Sequence, residues 1–150
     1  MKINSLNFRN NFRGNAVLSL VYGKEMVLKN EVKDFLSREF AGEGFDETVI
    51  FEANDTDGLV SAIQNNLGGG LFGSQLIIKV IHTEGRFPKS LSETLEKINL
   101  NNMNNIKIII DSVSESISSN TKWIKENKEL IQVIECTKLK PLDEKKWLRD

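Results

Sequence analysis

Apolar positions along the chain follow two alternating periods. Residues 16–22, AVLSLVY, form an apolar run closed by Gly23, which predicts a strand buried on both faces. The next segment, KEMVLKNEVKDFLSREF, places Leu28, Val32, Phe35, Leu36 and Phe40 on one helical stripe. AGEGFDE reads as a loop and TVIFEA as a second strand. DGLVSAIQNNL then carries Leu59, Val60, Ile63 and Leu67 at helical spacing. QLIIKVI, KIIID and LIQVIEC predict three further strands, separated by the short helices SLSETLEKI and NTKWIKEN. Alternation of this kind, with crossovers of a dozen or more residues, predicts an α/β fold: a mostly parallel sheet flanked by helices. The segment KLKPLDEKKWLRD has Pro141 followed by a helical pattern that stops at Asp150. A helix that short is marginal alone, so the expectation is a chain that belongs to something longer.

Length and charge narrow the class. The 150 residues, 39% of them hydrophobic, suit one domain with its own core. Twenty Lys and Arg against 21 Asp and Glu leave no net field to hold the chain on nucleic acid or an anionic membrane. A single cysteine, Cys136, excludes an internal disulfide framework and suits a reducing cytoplasm. The polar start MKINSLNFRNNFRGN has no signal-peptide core, and no run approaches the roughly 18 apolar residues of a membrane span.

Ligands of parallel α/β sheets bind at the carboxyl ends of the strands, which directs attention to the loop VYGKEMVLK. A phosphate loop needs several glycines, a Lys and a Ser or Thr; this loop has Gly23 alone, and Lys24 reads as a solvated surface residue. The stretch GGGLFG fits G-x-G-x-x-G through Gly68, Gly70 and Gly73. It follows a helix and opens a strand, however, the reverse of a dinucleotide loop. ANDTDGLVSAIQ imitates a calcium loop but has Ala53 at the first ligand position and Gln64 at the twelfth, so Asp55 or Asp57 is expected to cap a helix. Ser119 or Asn120, in an S-x-x-K match, is expected to do the same. His82 reads as a polar strand-end residue, Asp111 as capping or turn-forming, and Cys136 as inert core. No nucleophile, general base or phosphate loop remains, and no cofactor or metal is expected. The unexplained feature is the apolar pair Leu71-Phe72 between Gly70 and Gly73. Either the pair folds back onto the sheet edge or, since a turn that flexible fixes a core side chain poorly, it is an outward plug for another protein's pocket.

The stretches LSLVYGKEMVLKNEVKDFL, GFDETVIFEA, LFGSQLIIKV and VIECTKLKPLDEKKWL together resemble the N-terminal domain of the delta subunit of the bacterial DNA polymerase III clamp loader. The resemblance covers nearly all of residues 16–149. It implies an AAA+-type, P-loop-NTPase-like core without a functional P-loop, in a non-catalytic subunit that takes no nucleotide. It also implies that Leu71 and Phe72 enter a pocket on the sliding clamp (the beta subunit), with Leu67, Gly70 and Gly73 around them, and that the adjoining helix helps to open the ring. Members often carry Gln and a polar residue where this chain has Leu67 and Gly70. On this reading residues 1–15 are an N-terminal extension and 16–140 the clamp-binding domain. Residues 141–150 then begin a helix toward C-terminal domains that join the other loader subunits. The alternative is a nucleotide- or cofactor-binding α/β domain of a small-molecule enzyme.

Overall fold

The computed structural model describes residues 2–4, 8–66, 75–118 and 121–136. The expected alternation is present: β2 (Leu18–Tyr22), α2 (Met26–Gly42), β3 (Glu47–Glu52), α3 (Thr56–Asn66), β4 (Leu76–His82), α4 (Lys89–Lys97), β5 (Ile106–Ser112), α5 (Lys122–Lys125) and β6 (Ile131–Glu135). A strand β1 (Lys2–Asn4) and a short helix α1 (Phe8–Asn11) precede them. The strands form one sheet in the order β1-β6-β2-β5-β4-β3, and every pairing is parallel. Parallel neighbours require a crossover, and the helices supply it.

Burial follows from place in the sheet. Central β2 and β5 are buried along their whole length, as their apolar runs predict. β3 lies at the edge, and Ile50 there is 66% exposed while Val49 and Phe51 face the core. Successive side chains point to opposite faces, so each strand feeds two cores. Leu18, Leu20, Ile106, Ile108 and Ile110 pack on the face covered by α3, α4 and α5. Val21, Ile77, Ile109 and Ile134 pack on the other, under α1 and α2. The α2 stripe closes that second core through Leu28, Val32, Leu36 and Phe40, with Phe35 half-buried beside Phe8 and Phe12.

Residues 1–15, read as a polar extension, contribute to both layers. Lys2–Asn4 pair with Val133–Glu135 of β6, and Phe8 is buried against α2. Arg13 ties the segment down. Its backbone N–H donates to Gln132 Oε1 at 3.1 Å, and its guanidinium donates to Lys128 O at 3.1 Å.

At the start of β5, Lys107 points toward α2. Its ammonium donates to Gly14 O at 2.8 Å and Ala16 O at 2.9 Å, and sits 5.2 Å from the Phe40 ring centroid and 5.7 Å from that of Phe45. Burial lowers its pKa from the ordinary 10.5, and the Glu43 carboxylate partly opposes the shift. Next to it, Gly44 ends α2 with φ 99°, where its N–H donates to Ala41 O and the Phe45 N–H to Phe40 O, each at 3.0 Å. Only glycine adopts that left-handed helix end without strain.

Candidate functional site

Two ends of the sheet are candidates. At the carboxyl ends of the strands, Gly23 turns the chain from β2 into α2 with φ 126°. A phosphate cradle requires the N–H groups of this loop to converge on empty space. Here they are engaged by neighbouring strands instead: Gly23 N–H donates to Ser112 O at 3.0 Å and Glu25 N–H to Cys136 O at 3.3 Å, while Cys136 N–H returns to Tyr22 O at 2.7 Å. Glu25 takes the N-cap position of α2, and its side chain makes no capping hydrogen bond there. Lys24 is a surface residue, as expected, in an exposed ion pair with Glu115 at 3.0 Å.

Asp111 departs from its expected capping role. Along β5 the residues that face α2 are Lys107, Ile109 and Asp111, and Asp111 lands opposite the first turns of that helix. Lys29 Nζ lies 3.0 Å from its Oδ1 and Lys33 Nζ 2.6 Å from its Oδ2. The Lys29 side chain is 2% exposed and its ammonium reaches Ser112 O at 3.4 Å. Two ammonium groups thus neutralise the strand-end carboxylate that would otherwise attract a divalent cation. Among the described residues no three His, Cys, Asp or Glu side chains are grouped to hold a metal ion. The lysines went unnoticed in the sequence because Lys29 sits inside an apolar helical stripe. The available signal was a Lys pair four apart on a helix that a following strand, ending in Asp, must pack against.

The other strand-end residues lie close to expectation. His82 is buried, with Nδ1 2.8 Å from Ser112 Oγ, and Ser112 Oγ in turn donates to Ser114 Oγ at 3.1 Å. An open cleft of about 1000 Å³ runs beside them, with Lys24, Arg86, Phe87, Ser114 and Trp123 on its walls. Cys136 is fully buried, and burial pushes its thiol up to about 12; the Asp111 and Glu135 carboxylates add to the shift and the Lys29 ammonium opposes it. Ser119 and Asn120 lie outside the described residues.

The second candidate is at the opposite end, where α3 passes into β4. Asp55 caps α3 by accepting the Gly58 N–H at 3.0 Å, and Leu59 and Ile63 hold the helix on the sheet. Leu67, Gly70, Leu71, Phe72 and Gly73 all lie outside the described residues. Both flanks of their segment are described, and both meet Asn105. Its side-chain amide donates to Asn66 O, the last residue of α3, and its carbonyl accepts the N–H of Leu76, the first residue of β4, at 2.9 Å. Asn66 is tied back to its own helix through Nδ2 to Ala62 O at 2.7 Å. Beside this base a groove of about 450 Å³ opens between α3 and the loop after α4, with Val60, Ile63, Ile98 and Met103 as its apolar wall. The sequence reading missed Asn105; its only signal was an Asn-rich loop, NLNNMNN, directly before an apolar strand.

No protein-family model matches the chain, and no curated protein matches it. Among solved structures, the Bacillus subtilis DNA clamp loader delta protein (YqeN) superposes with a TM-score of 0.60 at 15% identity, covering 95% of this chain and 44% of that one. Rif2 in complex with the C-terminal domain of Rap1 gives a TM-score of 0.47 at 19% identity, over 97% of this chain and 54% of that one. The DnaC helicase loader gives 0.45 at 15% identity, over 87% and 85%. The present chain therefore spans less than half the length of the delta protein that it matches. At that identity the likeness is one of fold: this chain has a parallel, helix-flanked sheet similar in fold to that of the clamp loader delta protein.

Proposed function

We propose that this chain carries the clamp-binding domain of a clamp loader delta-type subunit, acting in DNA replication by protein contact and catalysing no reaction itself. The observation that carries the reading is the fold likeness to a clamp loader delta protein over 95% of the chain. The strand-end geometry supports the non-catalytic part, because the N–H groups and the carboxylate that would hold nucleotide and metal are already engaged within the protein.

On this reading the α3–β4 turn presents Leu71 and Phe72 to a pocket of the sliding clamp, with Leu67, Gly70 and Gly73 shaping the turn. Burying a Leu and a Phe contributes roughly 1.5–3 kcal/mol each. Micromolar binding needs about 8 kcal/mol, so the outer face of α3 contributes as well. Ring opening follows from preferring the open clamp, since a ligand shifts an equilibrium only by its differential affinity. Residues 16–140 form the clamp-binding domain. Residues 141–150 lead toward domains that join the other loader subunits, in the cytoplasm.

The test is binding to the sliding clamp of the same organism. Leu71→Ala with Phe72→Ala is expected to weaken it about a hundredfold or more, given the burial of both side chains, with the thermal midpoint unchanged. Clamp affinity equal to wild type in the double variant rejects the plug. A thermal shift with ATP would instead favour a nucleotide-binding domain, since saturation at a hundred times Kd adds about 2.7 kcal/mol of stability.

A further inference from the structure

We infer that the cleft between the β4–α4 and β5–α5 loops binds an organic monocarboxylate with a flat aromatic body, received by Arg86, Ser114 and Trp123. The site is separate from the proposed clamp contact and does not depend on it. Ligands of parallel sheets collect outside the carboxyl ends of the strands, in pockets that are mostly apolar with a few convergent polar groups. The loop after β2 spends its donors on neighbouring strands, whereas the open cleft of about 1000 Å³ beside the ends of β4 and β5 keeps donors unspent.

Three donors belong to its walls. Trp123 lines the cleft and is 1% exposed, and its Nε1–H finds no acceptor among the described residues. A buried tryptophan N–H ordinarily has one. Ser114, 7% exposed, is the second. Ser112 Oγ donates its single proton to Ser114 Oγ at 3.1 Å and accepts the Ser114 N–H at 3.2 Å, so its remaining lone pair takes the His82 Nδ1–H at 2.8 Å. The hydroxyl proton of Ser114 itself is thereby left for a ligand. Arg86 is the third: it is exposed on the cleft wall and forms no ion pair with another described residue.

Donors without acceptors select an acceptor-rich group, and a carboxylate matches a guanidinium through two parallel hydrogen bonds. The wall charges set its valence. Lys24 and Arg86 are offset by Glu84 and Glu115, and Lys24 is already held by Glu115 at 3.0 Å. One negative charge is accommodated there, while a polyphosphate is repelled. Phe87 supplies the surface for the ligand's ring: it is half-buried and stacked on Trp123, with centroids 5.9 Å apart and planes at 24°. The walls are preformed, because Val113 N–H donates to His82 O at 3.1 Å and so joins the two strand exits.

The probe is phenylacetate, titrated into the isotope-labelled chain and followed by nuclear magnetic resonance. The chain has two tryptophans, and Trp147→Phe leaves the Trp123 indole N–H as the one signal of its kind. That signal should move saturably, with a dissociation constant in the millimolar range, as expected for so small a ligand. Arg86→Gln should weaken binding about tenfold and Ser114→Ala about threefold. Lys89→Gln, an equal loss of charge outside the cleft, should leave it unchanged. Acetate lacks the ring and phenylacetamide the charge, and each should bind about tenfold more weakly than phenylacetate. An unmoved Trp123 signal at tens of millimolar phenylacetate overturns the inference. So does phenylacetamide binding as tightly as phenylacetate, or wild-type affinity in Arg86→Gln, since either removes the carboxylate from the site. An equal response to acetate means general anion association only and overturns it too. Arg86 is exposed, so Arg86→Gln keeps the fold and the test stays decisive even where Ser114→Ala does not fold.

Discussion

The two ends of the sheet differ in how their loops are held. At the carboxyl ends of the strands the chain is bound to itself: backbone donors of the first β–α loop go to Ser112 and Cys136, and a buried carboxylate meets two lysines. At the amino ends, one asparagine bonds both the last residue of α3, through Asn66 O, and the first residue of β4, through the Leu76 N–H. A sheet of this kind ordinarily offers its carboxyl end to ligands. Here loop donors and the Asp111 carboxylate at that end are engaged in internal bonds, while the described groove lined by Val60, Ile63, Ile98 and Met103 lies at the opposite one.

The contrast can be broken most forcefully at Asp111. Asp111→Ala leaves Lys29 buried without its counter-charge, and about 3–5 kcal/mol of stability should be lost in urea unfolding. Replacing the pair together, Lys29→Met with Asp111→Leu, should recover most of that loss. If Asp111→Ala costs little, the ion pair does not hold this end together. At the amino end, Gly44→Ala meets both a positive φ and the Gln75 side chain, and should cost about 1–3 kcal/mol. The smallest effect is on pH dependence. Lys107 has a lowered pKa when folded, so between that value and 10.5 the unfolded chain binds more protons and stability rises with pH. A Lys107→Met chain should lack this rise, and identical slopes for the two in denaturation as pH approaches 10.5 from below would remove Lys107 as its source.

How far the sequence could be read follows the range over which each feature is specified. Strands such as QLIIKVI and the Leu28, Val32, Leu36, Phe40 stripe were legible because their burial is periodic within a few residues. β1 was not: three residues carry no period, and Lys2 joins the sheet only by pairing with Val133. Asp55 was legible as a cap because its partner Gly58 is three residues away. Asp111 was misread because its partner Lys33 is 78 residues away. For the candidate turn, the Leu71-Phe72 pair and its glycines were visible in the sequence, while the residue that fastens its flanks was not.

The sequence by itself determined the alternation of strand and helix, the parallel α/β class, the poverty of the phosphate loop and the apolar pair between glycines, because local period and residue type suffice for these. The tertiary structure decided which partners meet. Lys29 and Lys33 reach Asp111 because α2 runs back across β5, and Asn105 reaches Asn66 because β5 begins beside β4. Those contacts join groups that no local pattern relates, and only the packing of helix on sheet brings them within bonding distance.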